Sequence, residues 1–272
     1  SILDTQSLEF VYVKNIGGYR YKKAIAYEED IYMFGEPFDG GKRMVLNMHS
    51  LDAKNAIWKG ENVEPAIAFD NGCRVNNKMY WRNFGYGTIC IFDFENKATK
   101  KVKIKNVDLS ILTVTFDGEY FWLSGIGDEV LIWDEKKNEI IEVIQLKKVD
   151  RNCPWNMRFS SSRILGEYVY FSPVYYNKML RNNRYSKKIE ELFEVRKDEV
   201  CWNICETGYD SIYVDVTNYK ENNSRNYIIS ADGMIKENNT EFSIQNCYFR
   251  ENTFESPDNS LEIFINYLVS TR

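Results

Sequence analysis

The chain has 272 residues, 44% of them hydrophobic and 15% aromatic, and a formal net charge of −5. That much apolar material fills a sizeable core and excludes a disordered chain. The acidic balance argues against nucleic acid or an acidic membrane surface as a partner.

From the amino terminus, "SLEFVYVK" (Ser7 to Lys14) predicts a strand with no partner in its own unit. A first unit over 19–60 has a strand ending at Tyr27, a turn through Glu28-Glu29-Asp30 and the strand "IYMFG". The second, over 66–105, ends its first strand at Val75 and turns through Asn76-Asn77-Lys78 into "MYWRN". The third, over 108–147, ends that strand at Phe116 and turns through Asp117-Gly118-Glu119 into "YFWLS". The fourth, over 156–196, runs from Ile164 through Leu165-Gly166-Glu167 into "YVYFS". The fifth, over 198–240, turns after Glu206 into "SIYVD", and the sixth, over 246–272, turns after Ser256 into "LEIFI". "RMVLNMHSLDAKNAIW", "TICIFDFENKATKKV", "EVLIWDEKKNEIIEV" and "NYIISADGMIKE" each add a strand, an Asp-centred turn and a polar outer strand. Period-two alternation dominates throughout, without helical amphipathicity.

The six residues that precede these turns are 48, 41, 48, 42 and 50 residues apart. A repeat of that length holding four strands has the spacing of a propeller blade. One such sheet cannot bury both of its faces alone, whereas a ring of them can. The expected fold is therefore all-β: a single six-bladed β-propeller of four-stranded blades over 1–272, with the strand at 7–14 joining unit six to close the ring and remove an exposed edge. "VLIWDEKKNEI" resembles the strand-and-turn end of a WD40-type blade, and the aromatic hairpins are similar to kelch repeats. The Gly-His pair of the first pattern and the double glycine of the second are missing. The resemblance is to a divergent bacterial β-propeller, at the level of architecture.

Several chemistries are disfavoured. A single histidine, His49, rules out a multi-His metal site and disfavours Ser-His-Asp or Cys-His catalysis. No GxxxxGK[ST] or strand-linked GxGxxG occurs, so no nucleotide cofactor, and no metal, is expected. "SADG" (Ser230 to Gly233) has only a faint likeness to a sialidase Asp-box and reads as a hairpin turn. The cysteines Cys73, Cys90, Cys153, Cys201, Cys205 and Cys247 are scattered, as reduced structural thiols would be. No apolar run approaches the roughly 20 residues of a spanning helix, and Ser1-Ile2-Leu3-Asp4 does not open a signal peptide, so with reduced thiols a cytoplasmic location is expected, and separately a monomer. Lys97, Lys101, Lys103 and Lys105 alternate along "KATKKVKIK", as lysines guarding an outer strand would.

The candidate site lies where segments enter the first strands of the units. Tyr19 and Arg20, Trp155, Asn156 and Arg158, Trp202 and Asn203, and Tyr248 and Arg250 combine stacking rings with guanidinium and amide groups, the composition of a recognition surface. One residue before the six that precede the turns, Arg74, Arg163 and Glu255 stand at equivalent places, which predicts a small, wet channel bearing all three. The expected activity is non-enzymatic recognition of a peptide, a protein or a small anionic ligand. The alternative is a hydrolase, lyase or glycan-active enzyme with an axial carboxylate site, for which a calcium-assisted hydrolase would draw Asp108, Asn156, Asn203 and Glu206 from different blades.

Overall fold

The computed structural model describes residues 2–3, 10–12, 19–28, 30–37, 47–52, 57–61, 72–83, 85–148, 157–201, 204–206, 210–218, 220–221 and 223–238. Every regular element among them is a β-strand. A short antiparallel pair, β1 (Ile2–Leu3) and β2 (Phe10–Tyr12), comes first. Sheet one contains β3 (Tyr19–Tyr27), β4 (Asp30–Pro37), β5 (Asn47–Asp52) and β6 (Ile57–Glu61). Sheet two contains β7 (Cys73–Val75), β8 (Lys78–Arg82), β9 (Thr88–Asp93) and β10 (Ala98–Lys103). Sheet three contains β11 (Ile111–Phe116), β12 (Phe121–Gly125), β13 (Glu129–Asp134) and β14 (Glu139–Gln145). Sheet four contains β15 (Phe159–Leu165), β16 (Tyr168–Pro173), β17 (Lys178–Asn183) and β18 (Ile189–Glu194). In sheet five, β19 (Glu199–Val200) and β20 (Ile204–Glu206) both pair with β21 (Ser211–Asn218), followed by β22 (Asn223–Ser230) and β23 (Ile235–Asn238).

Sheets one to four are meanders in chain order, and all five sheets are antiparallel. The strand expected at 7–14 is realised as β2, with a local partner in β1 that the sequence reading did not give it. The sixth unit, 246–272, lies outside the described residues.

The first hairpin of each sheet corrects the register. Tyr27 pairs with Asp30, Val75 with Lys78 and Leu165 with Tyr168, while the Asp117 amide donates to the Tyr120 carbonyl at 3.0 Å. Two residues separate each of these pairs. The first of them takes a positive φ every time, at Glu28 (52°), Asn76 (53°), Gly118 (104°) and Gly166 (57°), as tight turns between right-twisted strands require. The equivalent residues are thus Tyr27, Val75, Asp117 and Leu165, one place later in sheets three and four than Phe116 and Ile164. A one-residue slip exchanges the two faces of a strand.

Buried side chains lie between successive sheets. Tyr32, Met79, Phe92 and Phe94 join sheets one and two, with Ile25 and Tyr27 packed against them. Tyr80, Ile91, Phe121 and Trp133 join sheets two and three. Trp122, Ile132, Phe159 and Phe171 join three and four, and Tyr170, Met179, Ile212 and Val214 join four and five. The first strands also lie side by side: β11 runs against β7 on one side and β15 on the other, and β15 runs against β20.

Outer edges are guarded differently. β10 carries exposed Lys100, Lys101 and Lys103, whereas Lys97 falls in the preceding turn at a φ of 50° and Lys105 pairs with Glu139 of sheet three. The β13–β14 and β17–β18 ladders each shift register once, and such bulges spoil an edge for further pairing.

The third strands of sheets two to five end on Asp93, Asp134, Asn183 and Ser230, short polar residues whose side chains fold back on the turn. Asp93 Oδ1 accepts from the amides of Glu95 and Asn96, and Asp134 Oδ1 from the amide of Lys137. Desolvation pushes both carboxyls up, but these backbone amides, with Lys137 beside Asp134, outweigh it and hold both below the ordinary value. A carboxylate depressed on folding contributes stability above its unfolded pKa and loses it as pH falls through the folded value. Thermal stability is therefore expected to hold from neutrality to about pH 5 and to fall below about pH 4. Asp93→Asn and Asp134→Asn should each flatten that fall, as a melting series in pH would show. A series unchanged by both substitutions would refute the assignment.

Candidate functional site

Each meander starts its first strand at one end and turns back at the other. The chain therefore enters β3, β11 and β15 at one end, the inlet end, while the hairpin turns after Tyr27, Val75, Asp117 and Leu165 lie at the opposite end. At the inlet end neighbouring sheets are joined through their main chains. Gly87, between β8 and β9, donates to Leu109 O at 2.6 Å, and Tyr86 bridges to Ser110 where the chain enters sheet three. Ile126, after β12, bridges to Met157 on the way into β15, and the Cys201 amide donates to Pro173 O of sheet four at 2.8 Å. Gly125 is needed for this close approach, since a Cβ there would lie 2.3 Å from the Ser110 carbonyl oxygen.

Arg158 stands at the inlet end, immediately before β15. Its side chain is only 7% exposed. The Nε donates to Oδ1 of Asp128, which follows β12 in sheet three, and Nη1 reaches the Tyr175 carbonyl at 3.4 Å. The guanidinium expected at an open mouth thus ties sheet four to sheet three. Such burial requires a partner, and Asp128 is that partner. Tyr19 and Arg20 open β3, opposite Pro37 and Glu36. Trp155, Asn156, Trp202, Asn203, Tyr248 and Arg250 lie outside the described residues.

Arg74 is at the other end. It is exposed, its Nε donates to Asn76 O at 2.9 Å within the hairpin turn, and its guanidinium sits 5.0 Å above the Tyr27 ring of sheet one. Arg163 pairs across the ladder with Tyr170, whose ring packs toward sheet five, and Arg74 pairs with Met79, which packs toward sheet one. Arg74 and Arg163 therefore occupy opposite faces of their sheets, and the channel position expected for both is not shared. Glu255 lies outside the described residues.

Small polar residues on the first strands are buried between sheets. Thr113 and Ser161 are fully buried. The Thr113 and Ser124 hydroxyls are 2.8 Å apart, and Ser172 Oγ donates to the Cys201 carbonyl at 2.6 Å and lies 2.9 Å from Cys201 Sγ. Ser160 joins the same carbonyl at 3.1 Å. Ser160 and Ser172 were not singled out from the sequence. The Ser160-Ser161-Ser162 run inside a predicted strand was the signal available. Cys73, Cys90, Cys201 and Cys205 are free thiols.

Of the carboxylates considered for catalysis, Asp108 is solvent-exposed on the connection between sheets two and three, 3.5 Å from Lys103. Glu206 ends β20. Among the described residues, no three His, Cys, Asp or Glu side chains form a group that could hold a metal ion. Among them, too, no helix is long and apolar enough to cross a membrane.

By sequence the chain matches no protein-family model and no curated protein. By structure it is similar to many solved chains, two β-propeller proteins among them. Hydrazine synthase of Kuenenia stuttgartiensis is 12% identical over 76% of this chain and 62% of its own, with a TM-score of 0.50. Sqt1 of Saccharomyces cerevisiae is 9% identical over 80% of this chain and 59% of its own, with a TM-score of 0.55. The fold is β-propeller-like. The chain spans less than two thirds of the length of either neighbour, and at these identities the likeness is one of fold alone.

Proposed function

We propose that the chain is a non-enzymatic recognition scaffold, a six-bladed propeller whose sixth blade is built from 246–272 together with the strand at 7–14. Its ligand is a peptide, a protein or a small anionic molecule held at the inlet end, and it acts as a monomer in the cytoplasm. The observation that carries this reading is the alignment of first strands: β7, β11, β15 and β20 follow one another side by side, with β11 and β15 entered at one end. Tyr19, Arg20, Trp155, Asn156, Trp202, Asn203, Tyr248 and Arg250 all belong to segments that enter first strands or begin those strands. In a ring they face one mouth, and arginine gathered there in an acidic chain favours a carboxylate or phosphate, which it pairs bidentately. Within this reading Arg158 braces the mouth and Arg74 takes no part in it.

The test is affinity capture on the immobilised protein, with captured molecules identified by mass spectrometry. Wild type is compared with Arg250→Ala and with Trp155→Ala. Retention that disappears in both variants, while their melting temperatures stay at the wild-type value, supports the proposal. Identical capture by all three proteins rejects the mouth as the binding surface.

A further inference from the structure

β10 is the last strand of sheet two, and it pairs with β9 residue for residue, from Ala98 with Asp93 to Lys103 with Thr88, without a register shift. Bonded and non-bonded pairs alternate along an antiparallel ladder. The Ile104 amide donates to Gly87 O at 2.7 Å, which continues the same register and makes that pair a bonded one. Ala98, Lys100 and Val102 therefore direct their peptide groups at β9, while Thr99, Lys101 and Lys103 turn theirs outward. The Lys103 carbonyl agrees, since it accepts from Asn138 Nδ2 of sheet three at 3.1 Å. The outer strands of sheets three and four both carry a register shift, and they bear glutamates instead, Glu139 and Glu142 on β14 and Glu191 and Glu194 on β18.

The side chains give this edge a sign. Lys97, Lys100, Lys101, Lys103 and Lys105 lie in one short stretch of a chain whose net charge is −5. Lys97 belongs to the turn before β10, and two others are engaged within the protein: Lys103 Nζ donates to the Tyr86 and Val107 carbonyls, and Lys105 Nζ to Glu139. Exposed Lys100 and Lys101 remain, on opposite faces of the strand. Lys100 stands opposite Ile91, which packs toward sheet three, and Lys101 opposite Cys90, which packs toward sheet one. Two cations so placed make no one-sided basic surface for a polyanion; they flank a row of main-chain groups. The same edge of a second copy would set lysine against lysine, and like charges directly opposite one another destabilise a strand pair. An acidic strand gains where that copy loses, so one pair of side chains both excludes and selects. We propose that the β10 edge is a docking site for an extended acidic segment of a partner protein, which adds to sheet two as a further strand through the peptide groups of Thr99 and Lys101.

The probe is a synthetic peptide of about eight residues built from glutamate, threonine and valine, long enough to run the length of β10. Its controls are the same peptide with lysine for glutamate, and the glutamate peptide N-methylated at every amide, which keeps its charge but donates no main-chain hydrogen bond. Binding to the full chain is read by fluorescence anisotropy, and hydrogen exchange is followed over 98–104. The glutamate peptide is expected to bind, to slow exchange at Thr99 and Lys101, and to bind more weakly as salt rises. Lys101→Glu should lower its affinity about tenfold or more, at an unchanged melting temperature. The N-methylated peptide should bind as poorly. Full binding of that peptide would overturn the proposal, because charge alone would then hold it. So would no binding of the glutamate peptide, equal binding of the lysine peptide, undiminished affinity in Lys101→Glu, or equally tight binding of a DNA duplex or of vesicles containing phosphatidylserine.

Discussion

Replacing Arg158 with alanine is expected to lower the stability of the fold by about 3 kcal/mol, the usual loss when one partner of a buried pair is removed. The Arg158 side chain is 7% exposed and that of Asp128 21%, so the remaining carboxylate would be stranded in a largely dry site. Most of the loss is the penalty for that lone charge. Asp128→Leu combined with Arg158→Met should therefore recover much of it. Urea denaturation of the two proteins checks both statements. An unchanged midpoint in Arg158→Ala would show that the pair adds nothing to the joint between sheets, and Arg158 would again be a candidate for direct ligand contact.

Trp122→Ala is expected to cost about 3–5 kcal/mol. The indole is fully buried between sheets three and four, among Val130, Ile132, Val169 and Phe171. Its Nε1 donates to Asp117 Oδ2 at 2.7 Å, and Lys187 of sheet four lies 4.6 Å above the ring. Asp117 Oδ1 meanwhile accepts from the amides of Glu119 and Tyr120, so one carboxylate holds both the hairpin turn and the indole. Trp122→Phe keeps most of the packing and loses the hydrogen bond, at a cost of about 2 kcal/mol. Similar losses in the alanine and phenylalanine variants would mean that the hydrogen bond, and not the apolar volume, dominates at this position.

The four-stranded units were legible because each leaves two signatures in the sequence, an apolar hairpin and a short polar residue ending its third strand. Phe92-Asp93, Trp133-Asp134 and Ile229-Ser230 can be read without coordinates. The facing of first-strand residues was not. The two-residue hairpin in sheet three is closed by Asp117 and Tyr120, and in a sequence Asp-Gly-Glu looks like a longer turn. The first strands also shift register near their start, between Tyr21 and Lys23, between Ile111 and Thr113, and between Phe159 and Ser161. Counting by twos from the turn toward the inlet crosses that extra residue and exchanges the faces. Arg158 lies beyond the shift, so alternation could not say whether its side chain reached solvent or a neighbouring sheet. Its partner, Asp128, is 30 residues away in another unit. Nothing local in the sequence marks that distance.

The joints at the inlet end are made of peptide groups: Gly87 to Leu109, Tyr86 with Ser110, Ile126 with Met157, Cys201 to Pro173. An amide and a carbonyl are present whatever residue carries them, proline's missing N–H apart. A substitution in these connections therefore leaves the union between units in place, so long as the backbone keeps its path and both Gly87 and Gly125 are spared, a Cβ at Gly87 falling 2.0 Å from the Val107 carbonyl oxygen. Drift can accumulate there without loosening the assembly. A propeller-like form shared at 9 to 12% identity is what such indifference to side chains would leave behind, and it makes the same rim a place where new binding surfaces can arise at little risk to the fold.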